Sequence, residues 1–172
     1  WNMQTTGVNV ADSSYKTITE VSDTAWVMTF DFTIDTVTLP SNNDGFSYYI
    51  GLHDSNVSPV QASDAIAFAI SLGSGNTDEF GLVTRDNAGF QDANPPSASD
   101  FAETVATGTY YVKLVRNSAI LATLGLYSDA TFETLIEEET IVVSATTDEL
   151  DTIVFSARRG NSSGSPVLDG TV

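Results

Sequence analysis

Three residues of this sequence have the types and the spacing of a site for a hydroxyl-rich ligand. Asp64 stands immediately before an apolar segment, where its carboxylate can accept charge-assisted hydrogen bonds from two neighbouring hydroxyl groups. Tyr49 offers an aromatic face on which a sugar ring can stack, and His53 offers a hydrogen-bond donor. These residue types suit a carbohydrate ligand, while the alternatives stay open that Asp64 is a turn residue before a strand and that His53 is an ordinary surface histidine.

The strands that must position these residues follow from the alternation of side chains. The segments Phe46 to His53, Ala65 to Leu72 and Glu79 to Arg85 alternate with a period of two, which predicts three β-strands. The large apolar side chains of the first segment occupy its even-numbered positions. Tyr49 and His53 are therefore expected to share the opposite, outward face of that strand.

Small outward residues between these polar groups predict a shallow trough. Ala65, Ala67 and Ala69 share the outward face of the second strand, and Arg85 ends the outward face of the third. Aromatic and polar side chains around a floor of alanines leave room for a sugar ring, with Arg85 as a further donor. The alternative is that the small side chains allow the sheet to curve or a second layer to pack against it.

The loop that follows Arg85 is rich in side-chain oxygens. It runs from Asp86 through Asn87 to Asp92, and Asn87 is a further candidate sugar ligand. Calcium prefers oxygen ligands of this kind, so we predict a calcium site with Asp86 and Asp92 among its ligands. Asn and Asp also form turns for purely local reasons, and that interpretation stays open.

The rest of the chain repeats the same pattern of short alternating segments separated by turn-forming residues. The 172 residues contain no convincing amphipathic helix, internal repeat or linker, which predicts one all-β domain over residues 1–172. About ten to twelve short strands are typical of a two-sheet antiparallel β-sandwich. Residues 86 to 100 are predicted to form a long loop, and residues 8 to 21 to supply one or two strands. The other predicted strands are Trp26 to Asp35, Thr109 to Asn117, Ile120 to Ser128, Thr140 to Ala145, Ile153 to Arg159 and a short segment near Val167.

The composition excludes several classes of partner and chemistry. Six basic against 23 acidic residues give a formal net charge of −17, which repels nucleic acid and anionic membranes. No apolar segment is long enough to span a bilayer. The chain has no cysteine and one histidine, His53, which excludes thiol catalysis, disulfides and histidine-cluster metal sites. Scarce lysine with abundant serine and threonine is typical of an extracellular or surface-exposed β protein.

Three stretches of the sequence carry a resemblance to known families. Residues 62 to 70, Ala-Ser-Asp-Ala-Ile-Ala-Phe-Ala-Ile, resemble the strand of legume lectins that reads Ala-Asp-Gly-Leu-Ala-Phe-Phe. In that family the Asp reaches the bound sugar, and the matching residue here is Asp64. The stretch from Gly108 to Asp129 and the close from Leu168 to Val172 resemble laminin-G-like modules. Both families belong to the concanavalin A-like superfamily, so the resemblance implies a jelly roll in which a concave sheet often carries the ligand.

The sequence departs from two functional patterns of that superfamily. Legume lectins hold calcium and manganese with a Glu-x-Asp cluster, but the stretch after Glu79 lacks the Glu and the later spacing, which argues against a manganese site. Glucanases carry Glu-x-Asp-x-Glu on one strand, and the nearest spacing here is Asp31-x-Thr33-x-Asp35. Two aspartates about 13 Å apart do not form the carboxyl pair, about 5–9.5 Å apart, that glycoside hydrolysis uses. We therefore predict that the chain is not an enzyme.

Together these features predict a non-catalytic carbohydrate-binding module that recognises a glycan or polysaccharide through sandwich loops and a concave sheet face. Two alternatives stay open. One is a structural or adhesive module of a surface filament or viral fibre, in which a short last strand near Val172 leaves a sheet edge for another copy to complete. The other is a polysaccharide-degrading jelly-roll enzyme. The run Glu137 to Glu139 is predicted to mark an exposed turn or strand edge.

Overall fold

A computed structural model describes residues 2–4, 12–38, 46–54, 64–72, 79–85, 100–159 and 167–172. These residues form twelve strands in two antiparallel six-stranded sheets. They include no helix that is long and apolar enough to cross a membrane. The strands are β1 (Asn2–Gln4), β2 (Asp12–Thr17), β3 (Trp26–Thr38), β4 (Phe46–His53), β5 (Ala65–Leu72), β6 (Glu79–Arg85), β7 (Asp100–Thr104), β8 (Gly108–Ser118), β9 (Leu121–Tyr127), β10 (Leu135–Val142), β11 (Thr152–Arg159) and β12 (Val167–Thr171).

The two sheets pack face to face around one hydrophobic core. Sheet A has the strand order β1-β12-β3-β8-β9-β10, and sheet B has the order β2-β11-β4-β5-β6-β7. Aromatic rings at the centre join the sheets: the Phe32 ring of sheet A lies 5.2 Å from the Phe68 ring of sheet B, and the Tyr110 ring lies 5.0 Å from Phe80. Alternate residues of each strand bury in this core because successive side chains of a strand point to opposite faces. The all-β two-sheet sandwich is the predicted fold class.

The predicted strands agree best with the structure where the alternation is strongest. β4, β5 and β6 begin and end at the predicted residues, and β3 extends from the predicted Asp35 to Thr38. β10 differs, because it begins at Leu135 and ends at Val142 instead of covering Thr140 to Ala145. The strand β7, Asp100–Thr104, falls just after the predicted long loop and has no predicted counterpart.

Two predictions concerned strands at the edges of the sheets, and only one of them is confirmed. β12 lies between β1 and β3, so the last strand is an inner strand and the expected incomplete edge at the end of the chain is wrong. Glu137 to Glu139 lie on β10, an edge strand of sheet A, as predicted. The Glu137 carboxylate accepts a hydrogen bond from the Glu103 backbone N–H of β7 at 3.2 Å, which links the edges of the two sheets.

Candidate functional site

The strand register brings the predicted sugar-binding residues to one face of sheet B. Tyr49 pairs with Ala69, and His53 pairs with Ala65, which in turn pairs with Arg85. Directly paired residues point to the same side of a sheet, so the predicted common face is confirmed for these strands. This face is the one directed away from the core.

The side chains of that face are buried, so the predicted open trough is wrong. Tyr49 is 6% exposed and His53 is fully buried. Tyr49 packs with Ala67, Ala69 and Val83 in a small apolar cluster separate from the main core. The small side chains of Ala67 and Ala69 leave space for the Tyr49 ring to pack against this face of the sheet. The side chain of Arg85 and the residues Asp86, Asn87 and Asp92 lie outside the described part of the chain.

Asp64 acts in the structure as an anchor between two segments. It lies where β5 begins and is 3% exposed. Its Oδ2 accepts a hydrogen bond from the Asp148 backbone N–H at 3.1 Å, and its backbone oxygen accepts one from the Asp54 N–H at 3.2 Å. A buried carboxylate needs such partners because its desolvation is costly. The role of Asp64 as a sugar ligand stays a prediction.

Arg116 forms a second anchor at the same end of the sandwich. It is 1% exposed, and its guanidinium donates to the backbone oxygens of Ser118 at 3.1 Å, Thr147 at 2.7 Å and Ala119 at 2.7 Å. Burial lowers the pKa of Arg116, while the negative charges of nearby acidic residues, among them Asp64, oppose that lowering. This end of the described chain is therefore closed by buried polar contacts.

A second surface, on the outer face of sheet A, carries half-buried aromatic side chains among exposed neighbours. The register places Tyr111 of β8 beside Tyr127 of β9, and Tyr127 beside Leu135 of β10. Tyr111, Tyr127 and the nearby Phe132 are half-buried, and Leu135 is 48% exposed. We call Tyr111, Tyr127 and Phe132 the aromatic surface. It differs from the face that contains Tyr49 in that its surroundings are exposed.

The Phe132 ring contacts both tyrosine rings of the aromatic surface edge to face. The Phe132 ring lies 5.4 Å from the Tyr127 ring at 80° and 6.4 Å from the Tyr111 ring at 82°. The ring of Tyr127 also lies over Gly125. A Cβ added to Gly125 would stand 2.7 Å from the Cε2 of Tyr127 and 3.0 Å from its hydroxyl oxygen. The absence of a side chain at Gly125 therefore lets the Tyr127 ring lie across the sheet. Ring pairs at such angles are favourable beyond the area that they bury.

Polar side chains stand beside these rings. Gly125 pairs with Lys113 on one side and with Glu138 on the other, so both side chains flank the position that the Tyr127 ring covers. Asp31 of β3 pairs with Tyr111 and is exposed. Burial raises the pKa of the Tyr127 hydroxyl, and the negative charge of Glu138 raises it further. The arrangement offers apolar ring surface with both hydrogen-bond donors and acceptors next to it.

A hydrogen-bonded turn between β9 and β10 holds Phe132 in place. The Asp129 carboxylate accepts hydrogen bonds from the hydroxyl of Thr131 and from the backbone N–H groups of Thr131 at 2.9 Å and Thr134 at 2.6 Å. These bonds, that from the Thr131 hydroxyl first, hold the pKa of Asp129 well below its ordinary value. Phe132 has φ 57°, which is strained for a bulky residue. The hydrogen bonds of the turn hold Phe132 in this strained conformation, in which its ring contacts both tyrosines.

Sequence reasoning missed the aromatic surface as a site. Tyr111 and Tyr127 entered only as part of the resemblance to laminin-G-like modules. The signal was present in the alternation: Tyr111 and Lys113 occupy one face of β8, and Gly125 lies between two buried leucines on β9. No sequence pattern indicated Phe132, because its contact depends on the backbone of the turn.

The described residues offer no cluster of metal-ligating side chains. The described residues contain no group of three or more histidine, aspartate or glutamate residues that could hold a metal ion. The predicted calcium ligands, Asp86 and Asp92, lie outside those residues. Calcium binding therefore stays a prediction.

Comparisons with known proteins identify the fold. No protein-family model and no curated protein matches the sequence. Among solved structures, peanut lectin with a nine-residue peptide has a TM-score of 0.55 at 13% identity, covering 98% of this chain and 82% of that one. The lectin UEA-II with galactose has a TM-score of 0.50 at 10% identity, covering 97% and 81%. The predicted concanavalin A-like, legume-lectin-like jelly roll is confirmed.

Enzyme structures also share this fold. Scytalido-glutamic peptidase with a transition-state-analogue inhibitor has a TM-score of 0.54 at 12% identity, covering 94% of this chain and 73% of that chain. The same architecture thus occurs in lectins and in a peptidase, so the fold alone does not decide the function. The decision depends on the residues that the sandwich presents.

Proposed function

We propose that this chain is a non-catalytic carbohydrate-binding module whose ligand lies on the aromatic surface of sheet A. The observation that carries the proposal is the group of three contacting rings on a solvent-facing sheet, with Tyr127 lying across Gly125 between Lys113 and Glu138. Soluble proteins seldom expose contiguous apolar surface with a polar rim unless it binds something.

The chemistry of a sugar fits both parts of this surface. The C–H groups on one face of a pyranose ring are apolar and stack on an aromatic ring, while its hydroxyl groups point sideways. Lys113 can donate a hydrogen bond to those hydroxyls, and Glu138 and Asp31 can accept from them. An open surface of this size predicts weak affinity per site, on the order of micromolar to millimolar, which multivalent display would raise.

The spacing of two carboxylates beside the rings, Asp31 and Glu138, supports a proposal of binding without hydrolysis. Asp31 and Glu138 are separated by three strand spacings, which is about 14 Å. Glycoside hydrolysis needs two carboxyl groups about 5–9.5 Å apart. The separation supports a module without catalytic activity.

Five of the predicted ligand residues do not belong to the aromatic surface. The roles of Asp64, Arg85 and Asn87 as sugar ligands stay predictions, separate from the aromatic surface. Asp86 and Asp92 are candidates for a calcium ion that orders the loop after β6. We propose an extracellular or surface-exposed location, as the composition suggests.

A structural module is the second candidate, and one observation favours it. The outer face of sheet A also exposes Val27 at 60%, Leu135 at 48% and Val142 at 75%, which would suit contact with another protein. A second copy of this chain is a poor occupant, because each copy carries a net charge of −17.

The test is a glycan and polysaccharide array probed with the wild-type chain, Tyr127→Ala and Tyr15→Ala. Tyr15 is a matched control, since it is an exposed tyrosine on β2 of the other sheet. We expect selective binding by the wild type and by Tyr15→Ala. Tyr127→Ala should lose about tenfold or more in affinity, or ~1.4 kcal/mol, because its ring provides the stacking surface.

Three outcomes would contradict parts of the proposal. No binding by the folded wild type would refute carbohydrate binding. Binding by Tyr127→Ala as strong as that of the wild type would show that the glycan binds away from the aromatic surface. A change in sedimentation coefficient between wild type and Tyr127→Ala would assign the surface to self-association. Repeating the array with a chelator tests the calcium proposal separately. Unchanged glycan binding would refute a role for calcium in binding.

A further inference from the structure

The charges around the aromatic surface are almost all negative. Asp31 lies beside Tyr111, Glu138 lies beside Gly125, and Asp129 and Glu133 belong to the turn that carries Phe132. Lys113 is the one basic side chain that the register places among them in the described strands. A ligand on the rings therefore meets a local excess of carboxylates.

These carboxylates act differently on charged and uncharged ligands. A uronic acid or a sulfate group on the rings would lie within one Debye length, about 10 Å at moderate salt, of several like charges. The net charge of −17 adds a repulsion that acts during approach. An uncharged hydroxyl group meets the same carboxylates as hydrogen-bond acceptors, and such bonds are stronger than those between neutral groups.

The surroundings of the rings also indicate the shape of the ligand. Asp31, Leu135 and Glu138 are all exposed, so the rings lie on an open sheet face and not in a closed pocket. An open face accepts an internal segment of a chain that continues in both directions. A pyranose with equatorial substituents offers the flattest C–H face to an aromatic ring.

We infer that the ligand is an uncharged polysaccharide of equatorially linked pyranoses, of the β-glucan type, and that acidic polysaccharides are rejected by the carboxylates around the rings. This inference rests on the proposed function and adds the class of glycan. Tyr127 supplies the stacking surface. Asp31 and Glu138 supply acceptors for hydroxyl groups and repel carboxylate or sulfate groups.

The test compares two soluble polymers with the same backbone, hydroxyethyl cellulose and carboxymethyl cellulose. The first is uncharged and the second is acidic. Retardation of the wild-type chain in affinity electrophoresis is measured with each polymer at about 20 mM and about 500 mM NaCl. We expect retardation by hydroxyethyl cellulose that changes less than about twofold with salt and disappears in Tyr127→Ala. We expect no retardation by carboxymethyl cellulose at low salt.

A double variant, Asp31→Asn with Glu138→Gln, tests the local origin of the rejection. We expect it to be retarded by carboxymethyl cellulose at low salt, with affinity at least about fivefold above the wild type. The matched control is Glu20→Gln with Glu149→Gln, which removes the same two charges from exposed positions away from the aromatic surface. The control should behave as the wild type, because only the charges near the rings act strongly on a bound segment.

Several results would overturn the inference. Retardation by carboxymethyl cellulose equal to that by hydroxyethyl cellulose, and lost in Tyr127→Ala, would refute charge rejection while the proposed function stands. An equal gain in the double variant and in its control would refute the local origin. No retardation by either polymer would refute the assigned class of glycan, and the glycan array then decides separately whether the chain binds carbohydrate at all.

Discussion

Arg116→Met should lower the free energy of unfolding by roughly 3–5 kcal/mol. The guanidinium is 1% exposed and satisfies three backbone oxygens, those of Ser118, Ala119 and Thr147. Methionine fills a similar volume but donates no hydrogen bond, so these oxygens would lose their charged partner inside the protein. The bond to Thr147 is buried and the other two are partly buried, and a buried acceptor without a partner costs about 1–3 kcal/mol.

Urea unfolding followed by circular dichroism measures this loss. Arg116→Lys should recover only part of it, because one ammonium group cannot reach all three oxygens as the planar guanidinium does. Lys16→Met is the control, since Lys16 is an exposed cation on β2, and it should change the stability by less than about 0.5 kcal/mol. A loss below about 1 kcal/mol in Arg116→Met would show that the three bonds do not hold this end of the sandwich together.

Gly51→Ala should destabilise the chain by about 3 kcal/mol or more, or prevent folding. A Cβ at Gly51 would overlap the backbone oxygen of Ile66 and the Cα and Cβ of Ala67 on the neighbouring strand. Backbone atoms of a central strand cannot move aside without separating β4 from β5. Overpacking of this kind is among the most costly changes in a close-packed interior.

Gly125→Ala is the matched control for that prediction. The atoms that its Cβ would meet belong to the ring of Tyr127, which lies at the solvent-facing surface and can rotate away. We expect a loss of less than about 1 kcal/mol in urea unfolding, together with weaker glycan binding because the ring is displaced. Equal stability losses in the two variants would show that β4 and β5 are not as close as the structure has them.

The fold could be predicted well from the sequence because the alternation of apolar and polar residues shows which face of each strand is directed toward the core. β4, β5 and β6 have large apolar residues at every second position, so their limits and their inward faces could be predicted. β7 was missed because its five residues, Asp100–Thr104, offer too short a stretch of alternation. The position of β12 inside sheet A depends on long-range pairing with β1 and β3, which no local pattern specifies.

The candidate site was harder to predict, for a physical reason. Alternation indicates which side chains share a face, but it does not indicate whether another layer covers that face. Tyr49 and Tyr111 both occupy outward positions of central strands, yet Tyr49 is buried and Tyr111 is only half-buried among exposed neighbours. Phe132 depends on a positive φ and on the hydrogen bonds of Asp129, which form only in the folded turn.

The position of the bound glycan distinguishes the aromatic surface of sheet A from the predicted site on sheet B. A titration of the isotope-labelled chain with an uncharged glycan selected on the array, followed in backbone and side-chain NMR spectra, locates the ligand residue by residue. We expect the largest shifts at Tyr111, Gly125 and Tyr127, with little change at Tyr49 and Asp64. Shifts concentrated at Tyr49, His53 and Asp64 would contradict this expectation, and would place the ligand on sheet B where the sequence alone had predicted it.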